Sequence, residues 1–85
     1  MTVLSEADEL IYGDRNNDYG HPRDDFGRTA RIWTAILGTE VNARQVALCL
    51  IGVKISRLCQ TPDHRDSIVD IAGYAGCYDR VVTGE

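Results

Sequence analysis

The sequence has 85 residues, a formal net charge of −4, and 44% apolar and 26% charged residues. These are the proportions of a folded chain, not a disordered one, and the acidic balance excludes a duplex nucleic-acid binder, because phosphate neutralisation by Lys and Arg supplies most non-specific affinity for DNA. The longest apolar run, Val46 to Val53, falls far short of the roughly 20 residues that span a bilayer, and no basic-then-apolar leader opens the chain, so a cytosolic protein with no membrane partner is expected.

A chain this short buries only about 60–65% of the surface its unfolded form exposes. A single all-α domain over residues 1–85 is therefore predicted to gain stability as a homo-oligomer. Cys49, Cys59 and Cys77 are widely spaced, odd in number and set in apolar surroundings. They signal neither a disulfide framework nor a zinc site and read as reduced core residues.

Ser5-Glu6-Ala7-Asp8 has the form of a capping box, and Ala7, Leu10 and Ile11 follow at helical spacing, which predicts a first helix from Leu4 to Tyr12. Gly13 ends it, and Asp14 to His21 reads as a long polar loop dense in turn formers. Pro22 suits the first turn of a second helix, in which Phe26, Ala30, Trp33 and Leu37 form the apolar stripe and Gly38 is the stop. Asn42 with Gln45 three residues on starts a third helix that is apolar all round from Val46 to Val53 and is expected to be the central one. Thr61-Pro62-Asp63 breaks it. Asp63 is expected to cap a fourth helix with Ile68, Ile71, Ala72, Ala75, Tyr78 and Val82 as its core stripe. The short connector predicts that helices three and four lie antiparallel. Trp33, Tyr74 and Tyr78 read as core, and Gly73 and Gly76 imply close approach by another helix or a ligand.

Two features could carry chemistry. Lys54 and Arg57 share a face of the third helix, and Asp66 and Asp70 share one of the fourth. In an antiparallel hairpin Arg57 meets Asp66 and Lys54 meets Asp70. These are either two ion pairs that pin the hairpin or, since Lys54 follows directly on the most apolar segment and Gly73 lies on the face of the aspartates, part of a ligand site. The second feature is Asp18-Tyr19-Gly20-His21-Pro22, which brings an aromatic ring, an imidazole and free N–H groups to a helix start, where phosphates bind and Tyr19 could stack on a base. The alternative is an Asp-capped turn with Tyr19 packed as a lid. His64 and Arg65 could add positive charge nearby.

Asp18-Tyr19-Gly20-His21-Pro22, Phe26, Trp33, Lys54-Ile55-Ser56-Arg57 and the run from His64-Arg65-Asp66-Ser67 through Asp70 to Ala75 together resemble a family of small uncharacterised bacteriophage and prophage proteins, over Leu4 to Val82. The resemblance implies a place in the cytoplasm of an infected bacterial host. More distantly, the order of the motifs is similar to the phage domain associated with nucleotide modification and to the MazG-like all-α NTP pyrophosphohydrolases, whose acidic residues hold magnesium. Asp70 fits that pattern and Asp66 lies one turn before it, but Ser67 stands where the pattern has Glu. Glu6 and Glu9 have the remaining spacing, on the first helix. Carboxylates already opposed by Lys54 and Arg57 are poor Mg²⁺ ligands.

Three functions follow as expectations. The first is binding of a nucleotide-like phosphate ligand without turnover, with no cofactor or resident metal, as in a sponge for nucleotide signals of host defence. Its site residues are Asp18, Tyr19, His21, Lys54, Arg57, His64, Arg65, Asp66 and Asp70. The second is a Mg²⁺-dependent NTP or dNTP pyrophosphohydrolase with Asp66 and Asp70 at the metal. The third is a helical interaction module that blocks a host protein.

Overall fold

In the computed structural model, which describes all 85 residues, the chain is helical with no strands: α1 (Val3–Tyr12), α2 (Asp14–Tyr19), α3 (Pro22–Leu37), α4 (Ala43–Gln60) and α5 (Arg65–Thr83). Four of these have ten residues or more, matching the four helices expected, and α2 is an addition of six residues. No helix is long and apolar enough to cross a membrane.

The capping box of α1 begins earlier than Ser5. Thr2 is the N-cap: its hydroxyl accepts from the Ser5 N–H at 3.1 Å, and the Ser5 hydroxyl accepts from the Thr2 N–H at 3.0 Å. Ser5 thus fills the third helical position, which Glu or Gln more often holds, and satisfies the same two donors.

The expected polar loop after Gly13 is α2, because Gly13 closes one helix and opens the next. Its N–H donates to the Glu9 carbonyl at 2.8 Å, and its own carbonyl accepts from Asn17 at 3.0 Å. A Cβ at this corner would stand 2.6 Å from the Glu9 carbonyl oxygen, so only glycine lets the chain turn this tightly. Turn-forming polar residues are equally at home in a single helical turn whose ends are capped, which is why composition alone reads as loop.

α3 and α4 start and stop where their caps predict. His21 accepts from the Arg23 N–H through Nδ1 at 3.0 Å, Pro22 is the first helical residue, and Gly38 ends α3 in the left-handed region. Asn42 and Gln45 exchange side-chain to backbone bonds at 2.9 Å each. α5 begins one residue later than its expected cap. His64, not Asp63, precedes the first helical residue, and its ring shares a 2.7 Å hydrogen bond with the Ser67 hydroxyl instead of capping the backbone.

The core joins Ile11, Phe26, Ala30, Val46, Ala47 and Cys77, with Trp33, Leu50, Tyr74 and Tyr78 packed around it. The helix at the centre is α5, which packs on α1, α3 and α4. α4, the expected centre, buries only Val46 and Ala47 fully. Leu48, Val53 and Ile55 remain about half exposed. On α5 the buried stripe is Ser67, Val69, Gly73, Cys77 and Arg80, while Ile68, Ala75 and Val82 of the expected stripe are exposed and Ile71, Ala72 and Tyr78 are half-buried. The reason lies in helix spacing. α1 closes on α5 over its small residues, so that a Cβ at Gly76 would stand 2.6 Å from Ile11 Cδ1, and larger side chains are turned away from that contact. Of the cysteines, Cys77 is buried as expected, but Cys49 and Cys59 are exposed, since both lie on the uncovered side of α4.

Candidate functional site

α1, α2 and α5 enclose a cleft of about 220 Å³. Gly13 sets α2 against the end of α1, and Gly73 leaves room on α5 opposite it. Leu10, Ile11 and Val69 form the apolar floor; Asp14, Arg15, Asp18 and Tyr19 come from α2; Asp70, Gly73 and Tyr74 come from α5. The site therefore unites Asp18 and Tyr19, expected from the first motif, with Asp70, expected from the second, although Tyr19 and Asp70 are 51 positions apart in the sequence.

Lys54 stands behind this wall. Its Nζ lies 2.9 Å from an Asp70 carboxylate oxygen, and its side chain is 14% exposed against 34% for Asp70. Burial on the Lys54 side and access to the cleft on the Asp70 side make this pair a hinge of charge between the interior and the site. The second expected pair does not form. Arg57 and Asp66 are both exposed and unbonded. Arg57 in the last turn of α4 and Asp66 in the first turn of α5 are each favoured there by their own helix dipole and stay in water.

Three further expected site residues are occupied elsewhere. His21 caps α3 through Nδ1. His64 bonds Ser67. Arg65 pairs with Glu6 of α1 and donates to the Met1 carbonyl at 3.1 Å, tying the two helices together away from the cleft. None of His21, Arg57, His64, Arg65 and Asp66 lines the cleft.

The residue that sequence reasoning missed is Arg15. Its guanidinium lies 5.3 Å from the Tyr19 ring centre, 5.2 Å from Phe26 and 5.3 Å from Tyr74. It also lies 3.4 Å from an Asp25 carboxylate oxygen. A weakly hydrated planar cation between three aromatic faces is held by ring quadrupoles as well as by its carboxylate. Arg15 thereby fixes Tyr19 and Tyr74 as two walls of the cleft. Its only sequence signal is its spacing of i, i+4 from Tyr19, which counts once the segment is known to be helical. Asp14 was also missed; it shares a helical face with Asp18. Tyr74, expected in the core, serves both roles, since its ring is tilted against Phe26 at 6.4 Å while also lining the cleft.

Behind the aromatic wall, burial pushes the Cys77 thiol up from its ordinary range, with Arg15 acting in the opposite sense. It is a packed, protonated group rather than a nucleophile. No three His, Cys, Asp or Glu side chains converge as a metal ion would need. Of the expected metal pair, Asp66 lies outside the cleft and Asp70 is compensated by Lys54.

Comparison with known proteins gives a consistent picture. The chain is 45% identical over 80 residues to the Gene 55 protein of Mycobacterium phage D29, covering 94% of this chain and 53% of the relative. It is 39% identical over 82 residues to the Gene 55 protein of Mycobacterium phage L5, covering 95% of this chain and 53% of the relative. The chain thus spans about half the length of the curated relatives it matches. No solved structure matches it. Residues 2–82 match the family described as Domain of unknown function (DUF6378), and the chain belongs to that family, whose resemblance to small phage proteins its motifs had suggested.

Proposed function

We propose that this protein binds a nucleotide-like small molecule in the Tyr19–Asp70 cleft without turning it over. The observation that carries this reading is the convergence of Asp18, Tyr19, Asp70 and Gly73 on one concave site. At about 220 Å³ the cleft is smaller than the roughly 300–1,000 Å³ that encloses a drug-sized ligand, so it suits a single base with the remainder of the molecule outside. Tyr19 and Tyr74 offer flat apolar faces for stacking. Asp14, Asp18 and Asp70 supply acceptors for exocyclic amino groups, which favours amino-bearing bases. Lys54 is engaged by Asp70, so the exposed, unpaired Arg57 on the same face of α4 is the cation left for a phosphate beyond the cleft. A protein of this kind, in the cytoplasm of an infected bacterium, would act as a sponge for nucleotide signals.

Calorimetry of the protein against adenine, guanine, cytosine and uracil nucleotides, linear and cyclic, tests the reading. Binding of at least one amino-bearing nucleotide is expected, lost in Tyr19→Ala and weakened in Asp70→Asn. No heat with any member of the set would end it.

A second reading, a Mg²⁺-dependent pyrophosphohydrolase, is favoured by one observation: three carboxylates from two helices face the same cleft. Their present geometry does not gather them round a metal, and Glu6, a candidate fourth ligand, is bonded to Arg65. Pyrophosphate release from an NTP with Mg²⁺, abolished by Asp70→Asn, would displace the first reading.

A further inference from the structure

We propose that the outer face of α4 is the contact between two copies of this chain, with the two α4 helices crossing at Gly52. The face is laid out by helical geometry. At 3.6 residues per turn, Gly52 points directly away from the side of α4 that holds Val46, Ala47, Leu50 and Lys54. It is flanked one turn either way by Leu48 and by Ile55 and Ser56, with Cys59 beyond. Leu48 is 53% exposed and Ile55 51% exposed. From Gln45 to Cys59 this face carries no charged side chain.

Gly52 is the observation that points to a helix as the occupant. Glycine is the poorest residue after proline inside a helix, and nothing within this chain requires it, because a Cβ added at Gly52 would meet no atom within 4 Å. Gly76 has its reason in the packing of Ile11; Gly52 has none unless another backbone comes close to it.

The amount of surface agrees. A compact monomer of this mass exposes about 5,000 Å², whereas this chain exposes 5446 Å². The excess, roughly 400 Å², is about half of the ~800 Å² that one partner contributes to an interface of standard size. The remainder is available next to it, where Trp33, Leu37, Val41, Leu48 and Cys49, together with the charged Glu40, line a groove continuous with the α4 face.

A second copy is the partner that fits. A two-fold contact must match itself, because the same patch serves on both sides. An uncharged apolar face does so without like charges meeting, and it offers no fixed charge by which a different partner would be chosen. A two-fold axis at Gly52 sets Leu48 of each copy over Ser56 of the other and brings the far end of each α4 to the groove beneath Trp33.

Sedimentation equilibrium of the full chain in reducing buffer tests this. A dimer is expected at concentrations up to about 200 μM, dissociating on dilution by mass action. Gly52→Leu should raise the dimer dissociation constant roughly 10- to 100-fold by overfilling the crossing, with unchanged helical circular dichroism, since its side chain enters open space in the single chain. Ile55→Asp should do the same, while Leu4→Asp, at an exposed position of α1, should leave the dimer intact. A monomer throughout the range overturns the proposal and leaves the face to another occupant, such as the additional length present in the phage relatives. A dimer indifferent to both Gly52→Leu and Ile55→Asp overturns it as well.

Discussion

The cleft beside α2 and the outer face of α4 treat their side chains in opposite ways. In the cleft every buried charge has an answer: Arg15 lies between three rings and Asp25, and Lys54 is closed by Asp70. On α4, by contrast, Leu48, Val53 and Ile55 are left in water. Five helical segments in 85 residues cannot cover every apolar surface they carry, and packing density decides which surface is covered. α1 and α5 approach closely over Gly73, Gly76 and Cys77, whereas α4 touches the rest through one side only. A helix that is apolar all round can present its inner side to the core and keep its outer side for another molecule.

The largest expected effect breaks this comparison if it fails. Phe26, 1% exposed, sits at the junction of the core and the Arg15 cage, and Phe26→Ala should cost about 3–5 kcal/mol in denaturant unfolding. Leu48→Ala, read at concentrations where the chain is monomeric, should cost less than about 0.5 kcal/mol. Equal losses would mean that the outer face of α4 is as buried as the core.

The two mid-helix glycines sharpen the point. Gly76→Ala sets a methyl against Ile11 Cδ1, the end of a rotatable side chain, so displacing it offsets about 0.5–1 kcal/mol of helix-propensity gain. Gly52→Ala meets nothing and should stabilise the monomer by about 0.5–1 kcal/mol through helix propensity. Thermal unfolding of the pair at low concentration gives a clear rise for Gly52→Ala and a smaller one or none for Gly76→Ala if the two faces differ as described.

Arg15→Lys keeps the charge but loses the planar contact with Tyr19, Phe26 and Tyr74. A loss of about 1–2 kcal/mol is expected, with increased mobility of the Tyr19 ring in NMR relaxation. A neutral outcome would reduce Arg15 to a surface ion pair.

The smallest effect concerns Cys77. Burial raises its pKa in the folded chain, so the unfolded chain loses the thiol proton first as pH rises. The stabilisation is fully present below the unfolded thiol value of about 8.5 and is lost as pH climbs from there through the folded value. Cys77→Ala should flatten that alkaline decline. At concentrations where the chain is monomeric, a thiol reagent should modify Cys49 and Cys59 quickly and Cys77 only on unfolding.

Much of the fold was legible because its signals are local. Asn42 with Gln45, Pro22 after His21, and Gly38 each act within one turn, and α3 and α4 start and stop where those residues direct. Phe26 and Ala30 are buried as their spacing requires, whereas Leu37 at the end of the same stripe is exposed. The stripe of α5 was misjudged because apolar size was taken as the mark of the core, whereas the contact with α1 selects Ser67, Gly73 and Cys77 for smallness. Asp18, Tyr19 and Asp70, which line the cleft, stood out in the sequence as motif residues. His64 and Arg65 were not separable from them, since nothing in their spacing tells that Ser67 and Glu6 engage them first.

By itself the sequence determined that this protein is all-helical and where most helices begin and end, because caps, breakers and apolar periodicity are properties of neighbouring residues. Tertiary structure alone decided that α5 rather than α4 is central, that Arg15 rather than His21 belongs to the cleft, and which charges are paired. Those outcomes depend on how near two helices can come, a matter of side-chain volume at residues distant in the chain.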